Sequence, residues 1–214
     1  MYTPAKFRQH NPAELQAFIA EHPLATLIAQ TEHGLEAAHL PLQWHDDGSA
    51  HGCLHGHFAR ANPIWQTALP EQNWLAVFQH SGHYISANWY PGKTQHHKAV
   101  PTWNYQAVHI RGRLNIIDDP ARVFAMLAAL TAAHEQTQPR PWSLADAPAD
   151  YLAAMSRAIV CFEIRIDSIE GKYKLSQNQN AADRQGVIDG LHALQQHEAE
   201  HMAGLVARFA PDAG

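Results

Sequence analysis

Charge is scarce in these 214 residues: 16% are Asp, Glu, Lys or Arg, against 46% hydrophobic. That balance excludes a disordered tail and a coiled coil, both of which are rich in charge. Cysteine occurs twice, at Cys53 and Cys161, too few for a disulfide framework. The N-terminal MYTPAKFRQHNP also lacks the apolar centre of a signal peptide, so a reducing, cytoplasmic setting is expected. No uncharged apolar run nears the roughly 18 residues that cross a bilayer, and no membrane association is expected. Basic residues are outnumbered, 15 against 20 acidic ones, for a formal charge of -5. This argues against a nucleic-acid surface spread over the whole molecule. What the chain has in quantity is histidine, 17 in all, more than Lys and Arg together. Net charge therefore rises as pH falls through about 6.5.

Along the chain, Asn11, Pro12 and Glu14 read as a helix start, with Leu15, Phe18 and Ile19 as its apolar stripe. After His22-Pro23 come LATLIAQT, a turn at Glu32-His33-Gly34, LEAAHLPLQW, a turn at Asp46-Asp47-Gly48, and AHGCLHGHF. Such alternation broken by tight turns predicts an antiparallel meander. A short helix at Asn62-Pro63, the strands WLAVFQ and HYIS, a polar loop from about Asn88 to Thr102 and a long strand YQAVHIRGRLNII follow. Asp118, Asp119 and Pro120 then cap a helix with Val123, Leu127 and Leu130 at helical spacing. The stretch Gln136 to Pro148, with three prolines, reads as a surface loop, and AIVCFEIRIDSIE as one more strand. A single terminal helix is expected from roughly Ala182 to Phe209, its apolar side carrying Val187, Leu191, Leu194, Met202, Leu205 and Phe209. The class implied is α+β, an antiparallel barrel or strongly curved sheet with flanking helices. One domain is expected overall, residues 1–181 with a C-terminal helix over 182–214 packed on the barrel or on a partner subunit.

Three motifs resemble known chemistry without meeting its requirements. ANWYPGKT (Ala87 to Thr94) loosely fits a phosphate-binding loop, but Trp89, Tyr90 and Pro91 fill positions that need small residues, and Pro91 has no N–H to give. His197-Glu198-Ala199-Glu200-His201 fits the zinc-protease pattern HExxH, yet a third ligand is missing. His51, Cys53, His55 and His57 share one face of a strand, where residues two apart stand about 6.6 Å from each other. They are better read as polar residues lining a groove, with Leu54 and Phe58 in the core behind them, and no metal site is assigned.

Six segments in order, MYTPAKF, HLPLQW, HGHFARANPIW, FQHSGHYISANWY, VPTWNYQAVHIRGRL and IEGKYKLSQNQ, resemble the blocks of the PaiB family of FMN-binding negative transcriptional regulators. The resemblance runs from the first residue to about Leu191. It implies the FMN-binding split barrel of pyridoxamine 5'-phosphate oxidase, a homodimer with flavin at the subunit interface, and no Rossmann glycine fingerprint is present to suggest otherwise. A phosphate dianion held without a glycine-rich loop needs side-chain cations and donors. The block HGHFARANPIW supplies His57, Arg60 and Asn62, of which Arg60 matches phosphate oxygens bidentately. Oxidases of this fold usually carry lysine near the position of Asn62, a departure that implies weaker phosphate binding here. The resemblance places the strand GLEAAHLPLQW under the isoalloxazine, with backbone groups near His39 and Pro41 at its polar edge. Trp103 and Asn104, and Lys174, Ser176 and Gln177, are the remaining cofactor-binding candidates, on loops where ligand contacts concentrate.

Three functions follow: a flavin-binding negative regulator of transcription, a flavin-dependent oxidoreductase, and a haem- or metal-handling split barrel. No catalytic acid or base is assigned, although His39 and His57 have the right chemistry for proton transfer. No basic stripe or helix-turn-helix is evident, so regulation is expected through a partner or a metabolite, not by direct DNA contact.

Overall fold

The computed structural model describes residues 1–80 and 82–211. Local sequence signals set most element starts. Asn11 accepts a hydrogen bond from the Ala13 N–H and opens α1 (Pro12–Glu21), after the two-residue strand β1 (Arg8–Gln9). The meander follows as β2 (Leu24–Thr31), β3 (Gly34–Pro41), β4 (Gln43–His45) and β5 (Cys53–Ala59). Next come α2 (Ile64–Thr67), β6 (Trp74–Gln79), β7 (His83–Ile85), α3 (Lys93–His96) and the long β8 (Thr102–Ile116). The Asp119 side chain accepts from the Arg122 N–H to cap α4 (Pro120–Glu135), with Pro at the start where its missing N–H costs nothing. α5 (Ala149–Arg157), β9 (Ile159–Lys174), α6 (Ala181–His192) and α7 (His197–Arg208) complete the order.

The chain divides into two units, and β8 and β9 contribute residues to both. The larger comprises Gln16–Phe78 and His109–Ile169. Its strands pair in the order β3-β2-β6-β8-β9-β5-β4. Each pairing with a defined register is antiparallel: Thr26 faces His39 and Val77, and His57 faces Cys161. One side of the sheet is filled by Leu27, Leu54, Phe58, Phe78 and Phe162, each no more than 2% exposed, with Phe58 stacked on Phe162 at 4.5 Å. On the other side Cys161 packs with Ile117, Met126 and Leu130, which seats α4. The smaller unit comprises the described residues of Met1–Leu15, Gln79–Val108 and Glu170–Gly214. Here β1 pairs with the end of β9 (Arg8 with Lys172) and β7 with the start of β8 (Tyr84 with Trp103). Helices α6 and α7 pack on each other in this unit, with Val187, Leu191, Met202 and Val206 buried.

Three elements differ from the sequence expectation. The terminal helix is two helices: Gln195 adopts φ 53 and the chain reverses over residues 193–196, leaving Leu194 40% exposed instead of in the stripe. The segment read as a proline-rich loop running straight into a strand is followed first by the nine-residue helix α5. The polar loop over residues 88–102 contains the single helical turn α3, which ends at His97 with φ 55. Among the described residues, no helix is long and apolar enough to cross a membrane.

Candidate functional site

The end of β5 is the first cluster. Arg60 leaves the strand exposed, yet its guanidinium is fixed: Nε donates to the Arg157 carbonyl at 2.6 Å and Nη2 to the Ile159 carbonyl at 2.7 Å. A third bond, from the Arg60 backbone N–H to the Ala158 carbonyl at 2.8 Å, ties the bend to the start of β9. Guanidinium has five N–H donors, so three stay available for an anion. Asn62 accepts from the Ile64 N–H through Oδ1, which leaves its amide NH2 for another partner. Within β5, the Nδ1 of His57 is buried and has no hydrogen-bond partner among the described residues. Burial also holds the His57 imidazole below its ordinary pKa, favouring the neutral ring.

Just before β5, His51 is exposed, whereas within the strand Cys53 is buried and His55 half-buried. Cys53 Sγ lies 3.5 Å from His55 Nε2, and the His55 ring stacks on His45 at 4.9 Å. Burial, then the neighbouring His45, keeps the His55 pKa low. Burial pushes both thiols, Cys53 and Cys161, up to about 11, so neither supplies a ready thiolate. Among the described residues, no group of three His, Cys, Asp or Glu side chains is placed to hold a metal ion. His39 is exposed on β3 and its Nδ1 meets Thr26 Oγ1 at 3.1 Å across the pairing with β2. In the order of strands β3 lies at the end, so its outer backbone edge, near His39 and exposed Pro41, has no strand partner among the described residues.

The second cluster, in the smaller unit, brings together the candidates from β8 and the end of β9. Asn104 is fully buried and its Nδ2 donates to Ser176 Oγ at 2.9 Å, while that hydroxyl sits 3.3 Å from Asn104 Oδ1. Gln177 closes the turn on itself: its Oε1 accepts from the Leu175 N–H and its Nε2 donates to the Tyr173 carbonyl. Lys174 Nζ donates to Thr102 Oγ1 and to the Trp103 carbonyl, both at 2.5 Å. Burial, and Lys172 after it, lowers the pKa of that ammonium. The Trp103 ring is 56% exposed and meets Tyr84 edge to face at 6.2 Å, an aromatic pair turned outward. Of these five residues, Trp103 keeps an exposed ring, while side-chain polar atoms of the other four are hydrogen-bonded within the unit. Thr102, and the carbonyls of Arg157 and Ile159 in the first cluster, are site partners that the sequence did not indicate. They reach their partners through strand register over dozens of residues, which leaves no local signal.

The motifs set aside in the sequence have structural roles. In ANWYPGKT the Gly92 N–H donates to the Asp183 carboxylate at 2.9 Å, which puts a negative charge where a phosphate would sit. HEAEH opens α7, where Glu200 pairs with His192 Nδ1 of α6 at 2.5 Å and the His201 ring meets His80 at 4.9 Å.

The family model described as "Putative FMN-binding domain" matches residues 1–168. The chain is 32% identical over 206 residues, 96% of each protein, to the protease synthase and sporulation protein PAI 2 of Bacillus subtilis (strain 168). Among solved structures, it is similar to the flavocytochrome Anf3 of Azotobacter vinelandii (TM-score 0.55, 14% identity, covering 78% of this chain and 69% of that one). It is also similar to the FAD and haem binding protein of Mycobacterium smegmatis (TM-score 0.54, 17% identity, 78% and 73%). At such identities the likeness establishes the fold alone, an α+β split barrel built on an antiparallel sheet with flanking helices. The family match and the full-length relative go further: this chain belongs to the PaiB family of FMN-binding split-barrel proteins.

Proposed function

We propose that this chain is a PaiB-like negative regulator of transcription that binds FMN as a homodimer and acts without a DNA-reading motif of its own. The observation that carries the flavin site is the anchored Arg60 just after β5, three positions beyond His57, whose buried Nδ1 has no hydrogen-bond partner among the described residues. An FMN phosphate needs a cation with fixed, forked donors and further neutral donors, and the free N–H groups of Arg60, the amide of Asn62 and a neutral His57 are of that kind. FMN, when bound, supplies hydride and single-electron chemistry. The open edge of β3 near His39 and Pro41 offers backbone groups to the polar rim of a flavin ring. Leu24 (66% exposed) and Leu35 (73% exposed), at opposite ends of the β2–β3 ladder, are candidate contacts for the second copy.

The reading that DNA is not contacted directly rests on charge. Helices α6 and α7 are joined by a short turn, but exposed Glu198 and Glu200 stand in the first turn of α7, the end that a recognition helix would insert into the major groove between the phosphate strands. Regulation through a protein partner or a metabolite follows. The test is twofold. Purified protein should show the two visible absorption bands of bound flavin, and loss of the gene should raise transcripts that wild type, but not Arg60→Ala, returns to their starting level. A gel shift at physiological salt showing tight, sequence-specific binding by the protein alone would contradict the indirect route.

A second reading, a flavin-dependent oxidoreductase, is favoured by His39, whose Nδ1 is held by Thr26 while its Nε2 is free to carry a proton in solvent reach. Bleaching of the bound flavin by NADH or NADPH, followed by reoxidation with turnover, separates this reading from the first.

A further inference from the structure

The bigger unit holds a cavity of about 960 Å3 bounded by α4, α5, the segment joining them, the start of β9 and Arg60. That volume lies at the upper end of the range for small-molecule sites. Its walls are apolar, formed by Phe124, Leu127, Trp142, Leu152 and Met155 among others. Three of these large side chains, Phe124 (54%), Trp142 (41%) and Met155 (47%), stay exposed around it, an arrangement that leaves apolar surface in water unless something occupies the space. The segment carrying Trp142 is pinned: its backbone N–H donates to Glu135 Oε2 at 2.8 Å, so the aromatic wall is held open by a bond from α4.

The charged groups on this cavity are unequal in sign. Arg60, Arg157 and Asp118 line it, two guanidiniums against one carboxylate. Arg60 spends Nε and one Nη2 proton on backbone carbonyls, whereas the Arg157 guanidinium, at the C-terminal end of α5, makes no hydrogen bond to a described residue. An apolar space with an unengaged cation at its rim favours a ligand of matching polarity.

We infer that this cavity binds an amphipathic monoanion, an aryl or medium-chain alkyl acid whose apolar body lies between α4 and α5 and whose acid group meets Arg157. The cavity shares Arg60 with the proposed flavin site, so the inference rests on that reading to commit Arg60 to the flavin phosphate, and its test is chosen so that the two failures can be told apart. The probe is 8-anilinonaphthalene-1-sulfonate, titrated by fluorescence into the protein already saturated with FMN. Saturable binding of one probe per chain is expected, with displacement by decanoate at least about tenfold better than by decanol, the margin a charge-assisted contact provides. Arg157→Gln should erase that preference for acid over alcohol. Ala153→Trp, which adds bulk from an exposed position on the wall of the cavity, should abolish probe binding while flavin absorbance per chain stays the same.

Equal displacement by decanoate and decanol, or a probe signal indifferent to Ala153→Trp, overturns the proposal. So does competition between probe and FMN, which would assign the cavity to the flavin. Sedimentation showing that decanoate converts dimer to monomer would assign it to a second copy of the chain, and overturns it equally.

Discussion

Arg60 Nε lies 2.6 Å from the carbonyl oxygen of Arg157, and Nη2 of the same guanidinium lies 2.7 Å from that of Ile159. The arginine thus closes the last turn of α5 and the first residue of β9 while remaining exposed to a ligand. Arg60→Ala removes both functions. FMN affinity should drop by about 10- to 100-fold, the equivalent of losing one charged hydrogen-bonding partner at roughly 1.5–3 kcal/mol. Arg60→Lys keeps the charge but not the fork, and should recover only part of the loss. Flavin fluorescence titration reads both, and a wild-type affinity for Arg60→Ala would remove the residue from the site.

The buried pair Asn104 and Ser176 makes a different kind of demand. Ser176→Ala leaves the Asn104 amide with its donor and acceptor stranded at zero exposure, so the chain should lose about 1–3 kcal/mol in urea unfolding. Replacing both partners removes the penalty at its source: Asn104→Leu/Ser176→Ala should be less destabilised than the sum of the two single changes. Additive losses would show that the two side chains do not interact.

How much of this was legible in the chain can be judged from these same residues. Capping by Asn11 and Asp119 rests on short-range chemistry, and both helices start where the side chains indicate. Period-two patterning located the strand over residues 24–31, and it placed Leu54 and Phe58 on the core side of β5. The break between α6 and α7 had no such mark: neither Gly nor Pro stands at residues 193–196, and Gln195 takes a left-handed conformation that only the packing of the two helices explains. Helix α5 is nine residues long and follows a proline-rich stretch that hid its start. At the site, residue type nominated Arg60 and Asn104 alike. Sequence could not say that one points outward while the other is sealed against Ser176, 72 positions away, because that depends on how β8 and β9 align.

Glycines on the two terminal helices give opposite predictions from the same substitution. A Cβ at Gly186 would stand 2.0 Å from the Trp89 carbonyl oxygen and 2.7 Å from Pro91 Cδ, so α6 and the ANWYPGKT loop must separate to admit it. Gly186→Ala should destabilise by about 1–3 kcal/mol despite alanine's better helix propensity. Gly204 on α7 has nothing within 4 Å of that position, and Gly204→Ala should stabilise by roughly 0.5–1 kcal/mol. Thermal melts of the two variants should move in opposite directions; a melting point for Gly186→Ala at or above wild type would show that the contact yields freely.

His55 and His57 of β5 should contribute to the acid sensitivity of the fold. Burial depresses the pKa of His57, and burial together with His45 depresses that of His55, both from an ordinary value of 6.5. Above that value the rings are neutral whether the chain is folded or not, and they leave stability independent of pH. Below it the unfolded chain binds protons that the folded chain refuses, so stability must fall as pH falls from about 6.5 toward the folded-state values. Melting temperature recorded between about pH 5 and pH 8 should be flat at the alkaline end and decline on the acid side. His55→Gln and His57→Gln, which cannot take up a proton, should each reduce the acid-side slope, and the double variant should reduce it most. A slope unchanged in the double variant would assign the acid sensitivity to other groups and remove β5 as its source.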